Sequence, residues 1–182
     1  PADRPFRIGF IGVHTAFKGI DVLAQAAANI SETPSVEFYI AGTGRDEFAE
    51  QARKTFPAHK TKFLGWTKPE DFFPQIDLLV APSIGAEAFG RVAVEAFAHA
   101  VPVIGTNLGG LSESILPDVN GLQVPPSDSD AIGACIYKIA SDPDYYESLS
   151  KGALASAPQY TAKNVATAYT NAFETIVAGK DA

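Results

Sequence analysis

The sequence of 182 residues contains no methionine and a single cysteine, Cys135. One cysteine cannot form an internal disulfide or a thiolate zinc site, so the fold must be stabilised by an apolar core. The three histidines, His14, His59 and His99, lack the spacing of metal ligands. We therefore expect no metal cofactor, and a chain that works in a reducing compartment, the cytoplasm.

Basic residues are also few, since 14 Lys and Arg against 21 Asp and Glu give a formal net charge of −7. A nucleic-acid surface needs an excess of Lys and Arg, so we expect no nucleic-acid partner. No apolar run reaches the roughly 18 residues of a membrane-spanning helix. The remaining possibility for a membrane is peripheral association at its inner face.

Short apolar runs alternate with helical patterns along the whole chain. Strands are predicted over 6–13, 36–42, 61–65, 77–83, 101–106 and 122–126. Helices are predicted over 19–30, 46–56, 91–100, 127–142, 143–154 and 161–178, with short helical turns over 68–75 and 111–116. This order predicts an α/β fold: a Rossmann-like, doubly wound, six-stranded parallel sheet with helices on both faces.

The length fits one domain over 1–182. Its last helix, about 161–178, carries an apolar stripe that includes Val165, Tyr169, Phe173 and Ile176. Such a stripe needs a surface to cover. Because the chain begins at Pro1 and lacks methionine, we expect it to be part of a longer protein that supplies this surface.

The candidate site residues follow the predicted strands. In a doubly wound sheet, ligands bind beyond the carboxyl ends of the strands, at the point where the strand order reverses. These ends are followed by Gly12 and Lys18, by Gly42 and Gly44, by Gly65 and Trp66, by the stretch 83–90, and by Gly109 and Gly110. Glycines also form ordinary turns at such positions, so the pattern alone leaves both interpretations open.

Two acids stand in the otherwise apolar stretch SIGAEAFGRVAVEAFAHAVPVIG, residues 83–105. Glu87 precedes the predicted helix, and Glu95 lies inside it, leaning back toward the loop. A carboxylate here could bind the adjacent hydroxyls of a sugar or ribose. The alternatives are an ion pair of Glu95 with Arg91, four residues earlier, and an exposed loop position for Glu87.

The start of the same helix is a candidate phosphate site. The free backbone N–H groups of Phe89, Gly90 and Arg91 favour phosphate oxygens, and Gly90 allows a close approach. Lys18 could add a positive charge, although a solvated loop lysine is the ordinary alternative. The dinucleotide-binding pattern G-x-G-x-x-G does not follow the first strand.

Residues 82–115, PSIGAEAFGRVAVEAFAHAVPVIGTNLGGLSESI, resemble the signature of family 4 (group 1) glycosyltransferases, which are retaining enzymes of the GT-B fold. Three further segments resemble family elements in the same order: FKGIDVLAQA, FYIAGTG and NGLQVPPSD. The likeness covers nearly all of residues 7–142. It matches only the C-terminal, donor-binding half of such enzymes.

The resemblance implies transfer of a hexose from a UDP- or GDP-linked donor to an acceptor hydroxyl on a glycan, lipid or small molecule. Glu87 and Lys18 would be catalytic, with Glu87 on the donor sugar and Lys18 on the diphosphate. The donor-binding residues would be Gly12, Gly42, Gly44, Gly65, Trp66, Phe89, Gly90, Arg91 and Glu95. Among these, Glu95 would bind the ribose, and Gly65 and Trp66 would border the base.

The sequence departs from the family in three positions. Val13 stands where a phosphate-contacting arginine is usual, and Ala88 and Ala100 replace common glycines. The acceptor site would belong to the absent half, to which the last helix would return. We therefore expect the 182-residue chain alone to bind nucleotide weakly or not measurably, and to be inactive. The alternative functions are a nucleotide-sugar epimerase of the same fold and a non-catalytic sugar-nucleotide-binding subunit.

Overall fold

The computed structural model describes residues 4–30 and 34–178, so the predicted domain 1–182 extends beyond the described part at both ends. Its strands are β1 (Phe6–Ile11), β2 (Val36–Ala41), β3 (Thr61–Gly65), β4 (Leu78–Ala81), β5 (Val103–Thr106) and β6 (Gly121–Val124). They form one parallel sheet in the order β3-β2-β1-β4-β5-β6. The predicted six-stranded, doubly wound parallel sheet is confirmed.

The helices lie between the strands and after the last one. They are α1 (Ile20–Asn29), α2 (Glu47–Thr55), α3 (Pro69–Phe72), α4 (Arg91–Ala98), α5 (Gly109–Ser114), α6 (Ser129–Ser141), α7 (Pro143–Ser156) and α8 (Ala162–Ala178). Aspartates cap three of them: the side chains of Asp46, Asp128 and Asp142 accept hydrogen bonds from first-turn N–H groups of α2, α6 and α7. These caps fix where the helices begin.

Apolar side chains cover both faces of the sheet, as central parallel strands require. On one face, Ile8, Leu78 and Val80 pack with residues of α1 and α6. On the other, Leu79 and Val103 pack with residues of α3, α4 and α5. The alternation along β4, where neighbouring residues enter opposite cores, follows from the two-residue period of a strand.

The carboxyl ends of β1 and β2 approach each other closely. Gly12 donates its N–H to the carbonyl of Ala41 at 3.2 Å, and Gly42 has φ 109°. A side chain at Gly42 would overlap the carbonyl oxygen of Gly12. β1 therefore ends at Ile11, two residues earlier than expected, and the chain turns toward a 3-10 turn at Ala16–Lys18.

The last helix, α8, projects from the sheet. Residues 162–177 are exposed, including the apolar residues Tyr169, Phe173 and Ile176. The predicted apolar stripe is thus present, and the described residues leave it largely uncovered. Within those residues, no helix has the length and apolar character needed to cross a membrane.

Candidate functional site

A cleft of about 550 Å³ lies at the carboxyl ends of the strands. β1 and β4 are neighbours in the sheet, and the strand order reverses between them, so the cleft occupies the position expected for a ligand in this fold. Its volume falls within the roughly 300–1,000 Å³ of small-molecule sites. It is lined by Ile11, Lys18, Trp66, Thr67, Pro69, Glu87, Ala88, Phe89, Gly90, Arg91, Val92 and Glu95.

Most of the candidate residues meet in this one cleft. The lining includes both predicted catalytic residues and five of the predicted donor-binding residues: Lys18 and Glu87, with Trp66, Phe89, Gly90, Arg91 and Glu95. Among the described residues, Gly12, Gly42, Gly44 and Gly65 are not part of the lining. Gly12 and Gly42 instead contact each other where β1 and β2 end.

Glu87 is held at both its side chain and its backbone. Its Oε1 lies 2.9 Å from Nζ of Lys18 and accepts a hydrogen bond from the hydroxyl of Ser83. Its carbonyl accepts a hydrogen bond from the N–H of Gly110 at 2.8 Å. Only 14% of the Glu87 side chain is exposed, so the open-loop alternative does not describe this residue.

Helix α4 begins at the edge of the cleft behind a glycine. Gly90 adopts the left-handed conformation (φ 71°, ψ 47°) and offers no side chain to cap the first-turn N–H groups. A Cβ at this position would lie 2.7 Å from Leu111, so glycine is required by both conformation and space. The result is a helix N-terminus with positive partial charge facing the lining.

Glu95 makes the ion pair that the sequence left as an alternative. Nη2 of Arg91 donates to Oε1 of Glu95 at 3.0 Å, across one turn of α4. Their side chains are 82% and 32% exposed, so this pair lies at the mouth of the cleft and not in the core. Glu95 lines the cleft while it is paired, so the two interpretations are compatible.

Trp66 is part of the lining of the cleft. It follows β3 directly and is 74% exposed, which is unusual for the residue with the largest apolar surface. An exposed ring at the rim is available to stack on a flat ligand. Phe89, which also lines the cleft, is 46% exposed and contacts the ring of Tyr160 edge-on, with 5.9 Å between centroids.

Val13 stands at the position of the usual phosphate-contacting arginine, and the neighbouring His14 does not supply the missing positive charge. Val13 is 59% exposed, and His14 next to it is buried, with 2% of its surface exposed. Burial lowers the pKa of His14. A hydrogen bond with the backbone of Ala41 acts to raise this pKa, and the charge of Arg53 acts to lower it further. His14 is therefore neutral at pH 7 and adds no charge to the cleft.

Three supporting residues were not assigned a role from the sequence. Ser83 donates to Glu87, Thr106 donates its hydroxyl to the carbonyl of Ser83 at 2.8 Å, and Gly110 donates to the backbone of Glu87. The available signal was the position of Ser83, a polar residue at the end of the apolar strand predicted over 77–83. Its partner could not be predicted, because the loop that brings Glu87 back to it has no periodic pattern.

These features define the class of the protein: it is a Rossmann-like α/β protein with a cleft at the switch point of its sheet. Comparison with known proteins is more specific: residues 5–142 match the family described as glycosyl transferases group 1. The chain belongs to that family. An uncharacterized glycosyltransferase of Methanocaldococcus jannaschii is 32% identical over 171 residues, which are 91% of this chain and 44% of the relative.

Solved structures show the same relationship. The Anabaena protein HepE, crystallised in complex with UDP-glucose, is similar with a TM-score of 0.83 and 25% identity, over 96% of this chain and 49% of HepE. The C-terminal domain of a group 1 glycosyltransferase from Francisella tularensis shares the fold, with a TM-score of 0.75 and 22% identity, over 87% and 88% of the two chains. The chain thus spans less than half the length of the archaeal relative and about half of HepE.

Proposed function

We propose that this chain is the donor-binding half of a cytoplasmic, retaining hexosyltransferase whose donor is a UDP- or GDP-linked sugar. The observation that carries the proposal is the cleft itself, where two cations, two acids, a helix N-terminus and an exposed indole converge. Each matches one chemical part of a sugar nucleotide. The likeness to HepE, which was crystallised with UDP-glucose, supports this assignment.

The diphosphate is assigned to the start of α4 and to Lys18. Backbone N–H groups at Gly90 and Arg91 offer hydrogen bonds and positive partial charge to its oxygens. Lys18 is one third exposed and carries its charge on a flexible stem, so Nζ can turn from Glu87 toward a phosphate. Together they stabilise the charge that develops on the leaving diphosphate, without a metal ion.

The two acids are assigned to the sugars at either end of the diphosphate. Glu87 accepts hydrogen bonds from hydroxyls of the transferred hexose, and Glu95 from the ribose hydroxyls. Trp66 and Gly65 border the base. In the reaction the bond from the anomeric carbon to the phosphate oxygen breaks. The acceptor oxygen then bonds to the same face of that carbon, and its proton passes to the departing diphosphate oxygen.

The exposed stripe of α8 is assigned to the interface with the other half of the enzyme, which would bring the acceptor. Tyr169, Phe173 and Ile176 are each more than half exposed. Exposed apolar surface on this scale is typical of an interface. The half-length match to the relatives agrees with a missing partner domain.

The proposal is tested on the full-length protein by calorimetric titration with UDP and GDP. The protein is then incubated with the matching sugar nucleotide and an acceptor, and the product is analysed by NMR. We expect binding of one nucleotide, and a product that keeps the anomeric configuration of the donor. Binding of neither nucleotide, or an inverted product, contradicts the proposal, and binding without transfer to any acceptor favours a non-catalytic subunit.

A further inference from the structure

The carboxylate of Glu87 makes its side-chain hydrogen bond and its shortest ion-pair contact through the same oxygen. Nζ of Lys18 and the hydroxyl of Ser83 both meet Oε1. Within residues 4–30 and 34–178, the hydrogen bond from Ser83 goes to Oε1, and no hydrogen bond goes to Oε2. Each carboxylate oxygen has about two lone-pair sites, so those of Oε2 are open to the hydroxyls of a ligand.

The two donors differ in how firmly they are held. Ser83 is 2% exposed, and its carbonyl accepts the 2.8 Å hydrogen bond from the buried hydroxyl of Thr106. A serine hydroxyl donates one hydrogen, and water cannot reach this one to compete with Glu87. Lys18 is 33% exposed on a flexible stem, and an arriving diphosphate attracts it. Ser83 is therefore the donor that stays in place when a ligand binds.

We propose that Ser83 is a positioning residue for donor recognition. Its hydroxyl fixes Oε1 of Glu87 so that Oε2 faces the hexose, including when Lys18 turns toward the diphosphate. This inference rests on the proposed function, because it assigns the hexose to Glu87. It predicts that Ser83 affects recognition of the sugar and not of the nucleotide.

The test is a double-mutant cycle in the full-length protein, read as affinity for UDP-glucose and for UDP by calorimetry. If the parent protein binds GDP instead, GDP-mannose and GDP replace them. Ser83→Ala should weaken binding of the sugar nucleotide about tenfold, the effect of losing a hydrogen bond to a charged group, and leave binding of the nucleotide unchanged. In the Glu87→Ala background, the same change should have less than a twofold effect on either ligand.

Ser150→Ala is the matched control, because the hydroxyl of Ser150 also donates one hydrogen bond, to the carbonyl of Ala100 at 2.7 Å, and neither residue lines the cleft. It should leave both affinities unchanged. If Ser83→Ala does not fold, as judged by thermal melting, the nearly isosteric Ser83→Cys, a weak donor, takes its place in the cycle.

The outcomes separate this inference from the proposed function. An equal loss of affinity for both ligands, or the same loss with and without Glu87, overturns the role of Ser83 while the parent still binds its donor. A parent protein that binds neither nucleotide contradicts the proposed function and this inference together.

Discussion

Lys18 and Glu87 form an ion pair across the candidate site, with 2.9 Å between Nζ and Oε1. They come from different loops, one after β1 and one after β4, so the fold and not the local sequence brings them together. Arg91 and Glu95 form a second pair at the mouth of the same cleft. Each cation of the lining is thus already neutralised by an acid. Under the proposed function, a diphosphate must therefore share or displace Glu87 to gain Lys18.

Replacing Lys18 tests whether this cation serves the ligand or only the fold. In the full-length protein, Lys18→Ala should weaken binding of the nucleoside diphosphate about 10- to 100-fold, since a charge-assisted hydrogen bond is worth about 1.5–3 kcal/mol. Calorimetric titration measures the change. The matched control is Lys62→Ala, which removes an ion pair of similar length, 2.8 Å to Glu37, from the surface at β2 and β3.

The control should leave nucleotide affinity unchanged, because neither Lys62 nor Glu37 lines the cleft. Equal effects of the two substitutions would show that Lys18 has no special role in binding.

The periodic parts of the sequence predicted the fold well. Apolar strands and amphipathic helices have fixed repeats, so all six strands and the helices around them were placed within a few residues of their observed bounds. The ends were less accurate: the strand predicted over 77–83 is Leu78–Ala81. Its last predicted residue, Ser83, lies beyond the strand and donates a hydrogen bond to Glu87. Hydrogen bonding beyond the strand, and not hydropathy, decides such ends.

The sequence predicted the position of the cleft but not the contacts among the residues that line it. Gathering of glycines and charges at strand ends indicated the cleft, because parallel strands bring all their carboxyl ends to one edge. The sequence did not decide between a ligand and Arg91 as the partner of Glu95, since both fit the same spacing. It gave no means of separating Gly90, which shapes the cleft, from Gly42, which lets two strand ends approach.

Adding a side chain should lower the folding stability at Gly90 and raise it at Gly133. Gly90→Ala places a Cβ in a left-handed conformation and 2.7 Å from Leu111, which should cost about 1–3 kcal/mol of folding free energy and displace the start of α4. Gly133→Ala, inside α6 with open space around the new Cβ, should stabilise the chain by about 0.5–1 kcal/mol. Urea unfolding of both variants measures these opposite signs.

Nucleotide titration of the same two variants in the full-length protein separates stability from binding. Gly90→Ala should weaken nucleotide binding, because the backbone N–H groups at the start of α4 shift. Gly133→Ala should leave nucleotide binding unchanged. Normal nucleotide affinity in Gly90→Ala would show that the start of α4 does not bind the nucleotide.

His14 should make stability depend on pH. Its pKa is lowered by burial in the folded chain, and its Nε2 has no hydrogen-bond partner within the described residues. As pH falls through the ordinary value of 6.5 toward the lower folded-state pKa, the unfolded chain binds a proton that the folded chain does not. The folded state therefore loses stability on acidification, and keeps the contribution of His14 above pH 6.5.

Urea unfolding at pH 5, 6, 7 and 8 measures this dependence. The slope of unfolding free energy against pH should be smaller in His14→Gln than in the parent chain. An unchanged slope in His14→Gln would show that His14 takes up its proton equally in both states.

The stripe on α8 should matter only when the other half of the protein is present. Phe173 is 64% exposed, so Phe173→Asp should change the unfolding free energy of the 182-residue chain by no more than about 0.5 kcal/mol. In the full-length protein it should cost about 2 kcal/mol or more, the value of burying an apolar side chain of this size, and slow sugar transfer. Asn171→Asp adds the same charge on the opposite side of the same helix and is the control. Thermal melting of both variants in both lengths of chain distinguishes the cases: equal effects of the two aspartates in the full-length protein would show that the stripe does not form the interface.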